Sequence, residues 1–254
     1  MRNFTARIDQ LLNTLKFSIA VVVAMIISQI FTACKKYNDD ANTDACSIIT
    51  ATNISENIVY HFFYKPDGKI YKAEAGAKVI KYEYSGNTTI ITTIDSGRFI
   101  NKIIATLNSL GFATNVRIQN DTAGASWNNT VYEYNGVEVT RSTYTSSGSG
   151  AAGIAMYHWS DGNLVSKSFA SDTINYNYYT NQHTQEGDYI FFAQLLQGYK
   201  IYHTINLLSS YSSTTVSSTT FFTYEFASGK ISSFIAANSD GSVRFDYEYQ
   251  CDYY

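Results

Sequence analysis

The sequence predicts an all-β domain: an antiparallel meander of hairpin repeats, curled into an open sheet, a half-barrel or a two-layer sheet, with at most one or two short helices. Composition is the first observation, because 22 Tyr and 15 Phe accompany a single Pro among 254 residues, and aromatic and β-branched residues favour strands. The second is a recurring motif of an aromatic-rich strand, a glycine turn and a β-branched strand. We expect about ten to fourteen strands in a single domain.

Residues 1–33 are predicted to form a lipoprotein signal peptide. Basic residues precede an uncharged run, 17–34, whose apolar centre has the length of a signal-peptide core. The stretch FTACKK resembles a bacterial lipobox, which implies cleavage before Cys34 and lipidation of its thiol. The alternative is an uncleaved anchor, since 18 uncharged residues just span a bilayer.

Residues 34–46 are predicted to form a flexible tether, because the stretch YNDDANTD is short, polar and acidic. Lys35 follows the cysteine in place of the aspartate that retains lipoproteins at the inner membrane in some bacteria. We therefore expect an outer-membrane lipoprotein that faces either the periplasm or the cell surface. The domain itself is expected to occupy 47–254.

Cys46 and Cys251, near the two ends of the domain, are predicted to form a disulfide. Exported proteins can keep disulfides, and closing so long a loop contributes at most about 5 kcal/mol in the chain-entropy model. The alternative is two separate buried thiols. The chain has no CxxC pair or Cys/His cluster, so we predict no metal site and no cofactor.

The hairpins follow one another along the chain. They are HFFYKPDGKIYKA, KYEYSGNTTIITT, ATLNSLGFATNVRI, VYEYNGVEVTRSTY, AMYHWSDGNLVSKSF and FFTYEFASGKISSFI, closed by SVRFDYEYQC. Asn-Gly and Asp-Gly allow the positive φ of tight hairpin turns. Two segments also have helical features. We expect a strand in the second half of 98–111, whereas GDYIFFAQLLQGYK, where the repeat is lost, is either a helix or an edge insertion.

These hairpins, the interruption YNYYTNQ…LLQGYKIYHTINLLSSYSS, the terminal FTYEFASGKISSF…FDYEYQC and the lipobox together resemble a family of Bacteroidetes lipoproteins of unknown function. That family is similar in turn to the YD-type hairpin repeats of large secreted proteins. The resemblance covers about residues 55–251 and implies an extracytoplasmic antiparallel meander. It implies no catalytic residue, because the family has no established activity.

The hairpin VYEYNGVEV, residues 131–139, predicts how the two faces of the sheet differ. A turn at Asn-Gly sets Glu133 opposite Glu138 on one face and places Tyr132 and Tyr134 on the other. Other acids in the chain also lie between two aromatic residues. We therefore interpret the glutamates as a polar face and not as a catalytic pair, and we predict no catalytic residue.

The sequence is compatible with binding of a ligand by aromatic side chains. Trp127, Trp159, Tyr132 and Tyr134 are candidates for a platform that binds a glycan or a protein, since amphipathic rings stack well. The alternative is that these rings fill the core. Nucleic acid is not an expected partner, because the net charge is −3 and no basic stripe is present.

We expect a lipid-anchored binding or structural module at the outer membrane, and not an enzyme. Two other functions remain open: a carrier that holds an amphiphile in a concave aromatic face, and an enzyme that acts on glycans. An open pocket with apolar walls favours the carrier. Two carboxylates about 5 to 10 Å apart in one cleft favour the enzyme.

Overall fold

The protein is described by a computed structural model of residues 46–216 and 218–251, without the side chains of 149–151. Sixteen strands of this part of the chain form one closed antiparallel barrel, and each strand pairs with its neighbours in the sequence. The predicted all-β meander is therefore confirmed. The predicted open sheet, half-barrel or two-layer sheet of ten to fourteen strands is wrong.

The elements follow the circumference of the barrel in chain order. They are β1 (Cys46–Asn53), β2 (Ile58–Tyr64), β3 (Ile70–Ala75), β4 (Lys78–Ser85), β5 (Thr88–Asp95), β6 (Arg98–Leu107), β7 (Ala113–Gln119), β8 (Trp127–Asn135), β9 (Glu138–Ser146), β10 (Ser149–Ser160), β11 (Asn163–Ser168), β12 (Thr173–His183), helix α1 (Tyr189–Gln197), β13 (Asn206–Ser213), β14 (Thr219–Ala227), β15 (Lys230–Asn238) and β16 (Gly241–Cys251). The helix lies in the connection between β12 and β13. No helix of the described ranges is long and apolar enough to cross a membrane.

Pairing of the first strand with the last closes the barrel. Strand β1 runs antiparallel to β16, from Cys46 opposite Cys251 to Asn53 opposite Phe245. This pairing leaves no open strand edge. A disulfide joins Cys46 to Cys251, whose Cα atoms are 3.9 Å apart. These residues are 205 positions apart in the chain, so the local hairpin repeat contains no signal for this ladder.

The two segments with helical features have different structures. Strand β6 occupies 98–107 of the first segment, and the turn to β7 occupies the rest. The second segment contains α1, and it is not an edge insertion. The predicted signal peptide, the lipidation site Cys34 and all of the tether except Cys46 lie outside the described residues, and they stay predictions.

The barrel has two different ends, which we call lower and upper. The lower end is where β1 begins at Cys46 and β16 ends at Cys251. The connections from even-numbered to odd-numbered strands also lie at the lower end, including the β12–β13 connection that carries α1. The turns from odd-numbered to even-numbered strands lie at the upper end.

Side chains alternate between the lumen and the outer surface. The buried apolar and aromatic side chains point inward, and the outer surface carries charged and polar side chains together with exposed apolar ones such as Val131, Met156 and Phe221. In β4, Ile80 and Tyr82 are buried, whereas Lys81 and Glu83 are exposed. The same alternation recurs in the other strands, where buried residues from both ends of the chain pack in one cluster with the rings of α1. The core of the molecule is therefore the lumen of the barrel.

Charged side chains pair with one another on the outer surface. Lys72 Nζ lies 3.0 Å from Glu74 Oε1. Arg244 bonds to Glu225 and Asp246 with nitrogen–oxygen distances of 2.6 Å. Exposed pairs of this kind contribute little to stability. They place charged groups on an outer wall that also carries exposed apolar side chains.

The register of the hairpin 131–139 differs from the prediction because the turn lies at Gly136 and Val137, one residue beyond the predicted turn, and because a bulge follows it. Asn135 pairs with Glu138, and a register shift between Glu133 and Tyr134 places Glu133 opposite Arg141. Arg141 Nη1 donates to Glu133 Oε1 at 2.9 Å. The predicted opposition of Glu133 and Glu138 is therefore wrong, and an ion pair takes its place. The predicted assignment of faces is correct for Glu133, which is outside, and for the tyrosines, which are inside.

A hydrogen bond from an aromatic side chain to a backbone carbonyl recurs near the lower end of the barrel. Seven of the eight even-numbered strands supply the donor, and the preceding odd-numbered strand supplies the acceptor. The pairs are Tyr64–Ile48, Tyr84–Ile70, Tyr134–Ala113, Trp159–Val139, Tyr178–Leu164, Tyr224–Leu208 and Tyr249–Ile231, with donor–acceptor distances of 2.7 to 3.0 Å. Strand β6, which ends in Leu107, lacks this bond. We call these seven contacts the aromatic–carbonyl bonds.

The aromatic–carbonyl bonds explain why Tyr recurs in the hairpin motif. Each acceptor carbonyl belongs to a buried aliphatic residue at the start of an odd-numbered strand. A buried carbonyl without a partner costs about 1 to 3 kcal/mol. The aromatic ring therefore fills the lumen while its O–H or N–H satisfies the wall.

We predict that Tyr134→Phe lowers the free energy of unfolding by about 1 to 2 kcal/mol, because the hydroxyl lies within bonding distance of the Ala113 and Ile201 carbonyls. Urea denaturation of the full chain measures the change. Tyr71→Phe is the control, because Tyr71 is exposed and its hydroxyl has no hydrogen bond to the described residues. Equal losses in the two variants would contradict a stabilising role for the bond.

Candidate binding cavities inside the barrel

Helix α1 lies inside the barrel and packs against its inner wall. The Asp188 carboxylate caps the helix by accepting a hydrogen bond from the Phe191 amide at 2.7 Å. The helix ends at Gly198, which has a φ of 70°. A Cβ on Gly198 would lie 2.7 Å from the Tyr82 ring, so glycine is required both for the backbone turn and for the close approach to the wall.

The helix is held by the packing of one central ring against the wall and by hydrogen bonds from side chains to backbone carbonyls. The Tyr82 hydroxyl donates to the Leu196 carbonyl at 3.0 Å, and Gln194 Nε2 donates to the Tyr202 carbonyl at 2.7 Å. The ring centroid of Phe192 lies 4.8 to 6.4 Å from those of Tyr60, Phe62, Phe234, Phe245 and Tyr247. The helix is therefore part of the core and divides the lumen.

One cavity opens at the upper end, between α1 and strands β13 to β16. Its volume is about 610 Å³, within the range of small-molecule sites. The walls are Tyr189, Phe192, Ala193 and Leu196 of the helix and Tyr211, Phe222, Phe234, Ala236, Val243 and Phe245 of the strands. Polar groups are confined mainly to the rim, where the β15–β16 turn contributes Asn238, Asp240 and Ser242. We call this space the upper cavity.

A second cavity, of about 500 Å³, opens at the lower end between α1 and strands β1 to β6. Its walls include Ile70, Leu107, Phe191 and Leu195, so they are largely apolar. Its lining also contains charged residues, namely Lys69, Lys200 and Glu186. We call this space the lower cavity.

Tyrosine hydroxyls inside the barrel are held in the neutral form. Burial raises the pKa of Tyr84 to about 12, and burial also raises the pKa of Tyr82 and Tyr134. These hydroxyls already donate to backbone carbonyls. They therefore act as structural donors, and the lumen offers no activated phenolate.

Asp188 is the buried acid of the lumen. Its side chain accepts hydrogen bonds from the amides of Phe191 and Gln185, and the residue is only 3% exposed. Burial raises the pKa of Asp188 to about 6, against the opposing effect of these amides. One carboxylate oxygen caps α1 and the other bonds to the segment that precedes the helix, so the acid holds the start of α1 in place.

The four residues of the predicted aromatic platform do not share one surface. Tyr132 and Tyr134 lie on the inner wall, and Trp159 donates its Nε1 hydrogen to the Val139 carbonyl in one of the aromatic–carbonyl bonds. Trp127 lies at the upper end of β8 in the outward register, where the Arg117 guanidinium stacks at 4.6 Å from its ring centroid. Three of the four rings are therefore part of the lumen wall.

The residues that form the cavities are mostly ones that sequence analysis did not select. The signal for α1 was present, because Asp188 and Gly198 bound an apolar segment in the way of a helix cap and C-terminal glycine. Ala236 and Phe245 carried no such signal. Their importance arises from the pairing of distant strands around the barrel.

Comparison with known proteins identifies the fold. No family model matches the chain, and no curated protein is similar to it in sequence. Among the solved structures that match the chain are two porin-like proteins. The one from Bacteroides uniformis ATCC 8492 has a TM-score of 0.58 and 15% identity over 79% of this chain and 96% of that chain. The one from Bacteroides vulgatus ATCC 8482 has a TM-score of 0.57 and 18% identity over 80% and 98%.

These similarities support the closed β-barrel fold. Because the sequence identity is low, they show nothing beyond the fold. The resemblance to a lipoprotein family with hairpin repeats stays a prediction, because no family model matches.

We predict that the stability of the protein depends on pH through Asp188. Because the folded-state pKa of about 6 lies above the ordinary value of 3.8, the ionised form is disfavoured in the fold. The resulting penalty is relieved as the pH falls from about 6 to about 4. As the pH falls from 7 to 4, the free energy of unfolding of the wild type should rise by up to about 3 kcal/mol more than that of Asp188→Asn.

Urea denaturation of both full-length proteins at several pH values measures this difference. Asparagine also caps helices, so the variant keeps α1 while it removes the titrating group. Parallel pH profiles for the two proteins would contradict the assignment of the penalty to Asp188.

Proposed function

We propose that the protein is a lipid-anchored binding barrel of the outer membrane, which stands outside the bilayer and holds an apolar or amphiphilic molecule in the upper cavity. The upper cavity carries this proposal. It is open at one end, its walls are aromatic and aliphatic, and its polar groups lie mainly at the rim. Sites for apolar small molecules have this composition.

Ion pairs on the outer wall and an apolar interior support a barrel in water over one embedded in lipid, whereas exposed apolar side chains such as Ile154, Met156 and Phe221 are also present on that wall. A membrane-spanning barrel has an outward-facing apolar band about 25 Å tall and a polar interior. Here the pairs Lys72–Glu74 and Glu133–Arg141 lie on the outer surface, whereas aromatic rings fill the interior. Charged side chains facing lipid near the middle of the bilayer cost about 2 to 4 kcal/mol each.

The filled lumen argues against a pore. Barrels of 16 to 18 strands that act as porins leave an aqueous channel. In this protein, α1 lies within the lumen, and the ring of Phe192 packs against five rings of the wall. A passage for solutes would require the helix to leave.

The N-terminal sequence supports the lipid anchor. Cys34, the proposed lipidation site, precedes Cys46 by 12 residues, a stretch that reaches at most about 40 Å when extended. The chain enters the barrel at the lower end, at Cys46. The upper cavity, which opens at the opposite end, would then face away from the membrane.

The carrier hypothesis is favoured over the other functions that the sequence left open. A purely structural module has no use for an open apolar cavity. A glycan-acting enzyme needs two carboxylates in one cleft, but Glu133 and Glu225 lie outside the barrel and pair with arginines. We therefore propose no catalytic residue.

Filling the upper cavity tests the proposal. Ala236 lies on its wall, and Ala237 follows in the outward register, opposite the exposed Phe221. We predict that the full chain, purified from membranes, carries an organic-soluble molecule, and that Ala236→Trp reduces its amount by at least fivefold while Ala237→Trp does not. Mass spectrometry of organic extracts measures the amount per protein.

Circular dichroism controls for the folding of both variants. An extract from the wild type that holds no molecule in stoichiometric amount would contradict the proposal. So would equal amounts of the molecule in Ala236→Trp and Ala237→Trp.

A further inference from the structure

We infer that the lower cavity is a second binding site, which takes a molecule with an anionic headgroup on an apolar chain. This site is separated from the upper cavity by α1, and it does not depend on the function proposed for that cavity. Its apolar walls and the lysines in its lining are the observations that assign it.

The walls of the lower cavity accept an apolar chain. Ile70 and Leu107 contribute from the barrel, and Phe191 and Leu195 contribute from the face of α1 turned toward β1 to β6. The volume of about 500 Å³ lies within the range of small-molecule sites. Burying each methylene of a chain here is favourable by the hydrophobic effect.

The positive charges of the lower cavity lie near its opening. Lys69 and Lys200 line the space, and the ammonium groups of Lys65 and Lys69 lie 5.3 and 5.5 Å from the ring centroid of Tyr84. Lys200 is exposed, and its ammonium has no ion pair or hydrogen bond with the side chains that the structure describes. An anionic headgroup would therefore meet a cluster of cations with one unpaired member.

The acids nearby do not neutralise this cluster. Asp67 lies 3.7 Å from Lys69, and both side chains are more than half exposed, so this pair is weak and can exchange. The Glu186 carboxylate accepts a hydrogen bond from the Ile48 amide at 3.0 Å. Burial raises the pKa of Glu186, and its carboxylate already has this partner within the protein.

Three of the neutral polar side chains that line the cavity are already bonded within the protein, whereas Ser47, Thr88, Thr89 and Tyr199 also line it. The hydroxyls of Tyr64 and Tyr84 donate to backbone carbonyls, and the Gln194 side chain donates to the Tyr202 carbonyl. Lys69 and Lys200 are the cations of the lining and therefore the groups that would select an anionic headgroup. A carboxylate or phosphate on an acyl chain matches both the charges and the walls.

Photoaffinity labelling of the full chain in isolated outer membranes tests this site. The probes are dodecanoate and dodecanol, each with a diazirine in the chain, and phosphatidylglycerol with a diazirine in one acyl chain. We expect the carboxylate to label 107–111 and 191–195. Lys69→Gln with Lys200→Gln should reduce this labelling about tenfold, whereas Lys81→Gln, on the outer wall, should leave it unchanged.

The result with dodecanol decides the chemistry of the headgroup. Labelling of these segments by the alcohol should be weak and insensitive to the lysine substitutions. Equal labelling by acid and alcohol, or labelling by the acid that persists in the double variant, would overturn the proposal. Absence of label from 107–111 and 191–195 with every probe would also overturn it.

The phospholipid probe separates the two sources of an anionic amphiphile. Label from phosphatidylglycerol at the same segments identifies a membrane lipid, whereas label from dodecanoate alone identifies a free fatty acid. Both results support the site. Label in the strands that line the upper cavity, such as 234–245, reports on the other cavity, so failure of one proposal is distinguishable from failure of the other.

Discussion

A closed barrel of 16 strands encloses a lumen that must be filled if its inner wall is to be apolar. Barrels of this strand number leave a water-filled channel when they act as porins. In this protein, aromatic side chains and α1 occupy the space, and Phe192 packs in the centre against rings from both ends of the chain. The other features follow from this filling: the aromatic–carbonyl bonds, the buried helix cap and the two cavities that remain beside the helix.

Large aromatic side chains suit this task because they fill volume and also carry a polar group. Phenylalanine would fill the lumen equally well, but it would leave buried carbonyls at the lower end without donors. Tyrosine and tryptophan satisfy those carbonyls in seven of the hairpins. The charged residues are placed on the outer wall by the same alternation, so one pattern sets both the apolar interior and the charged groups of the exterior.

Local features of this fold were predictable from the sequence, and long-range ones were not. Alternation placed Tyr132 and Tyr134 on one face and Glu133 on the other, as observed. The bulge that moves Glu133 opposite Arg141 depends on turn geometry, which a pairing rule ignores. Closure was missed because the β1–β16 ladder joins residues about 200 positions apart, although the predicted disulfide between Cys46 and Cys251 already implied that the two chain ends are neighbours.

Release of the barrel from the membrane tests most directly whether it stands in water on an N-terminal lipid anchor. A specific protease site inserted between Asn42 and Thr43 would allow the chain to be cut ahead of Cys46 in isolated outer membranes without detergent. Our account predicts that the cut barrel appears in the supernatant after centrifugation, while the uncut chain stays in the pellet. A cut barrel that remains in the pellet until detergent is added would contradict it.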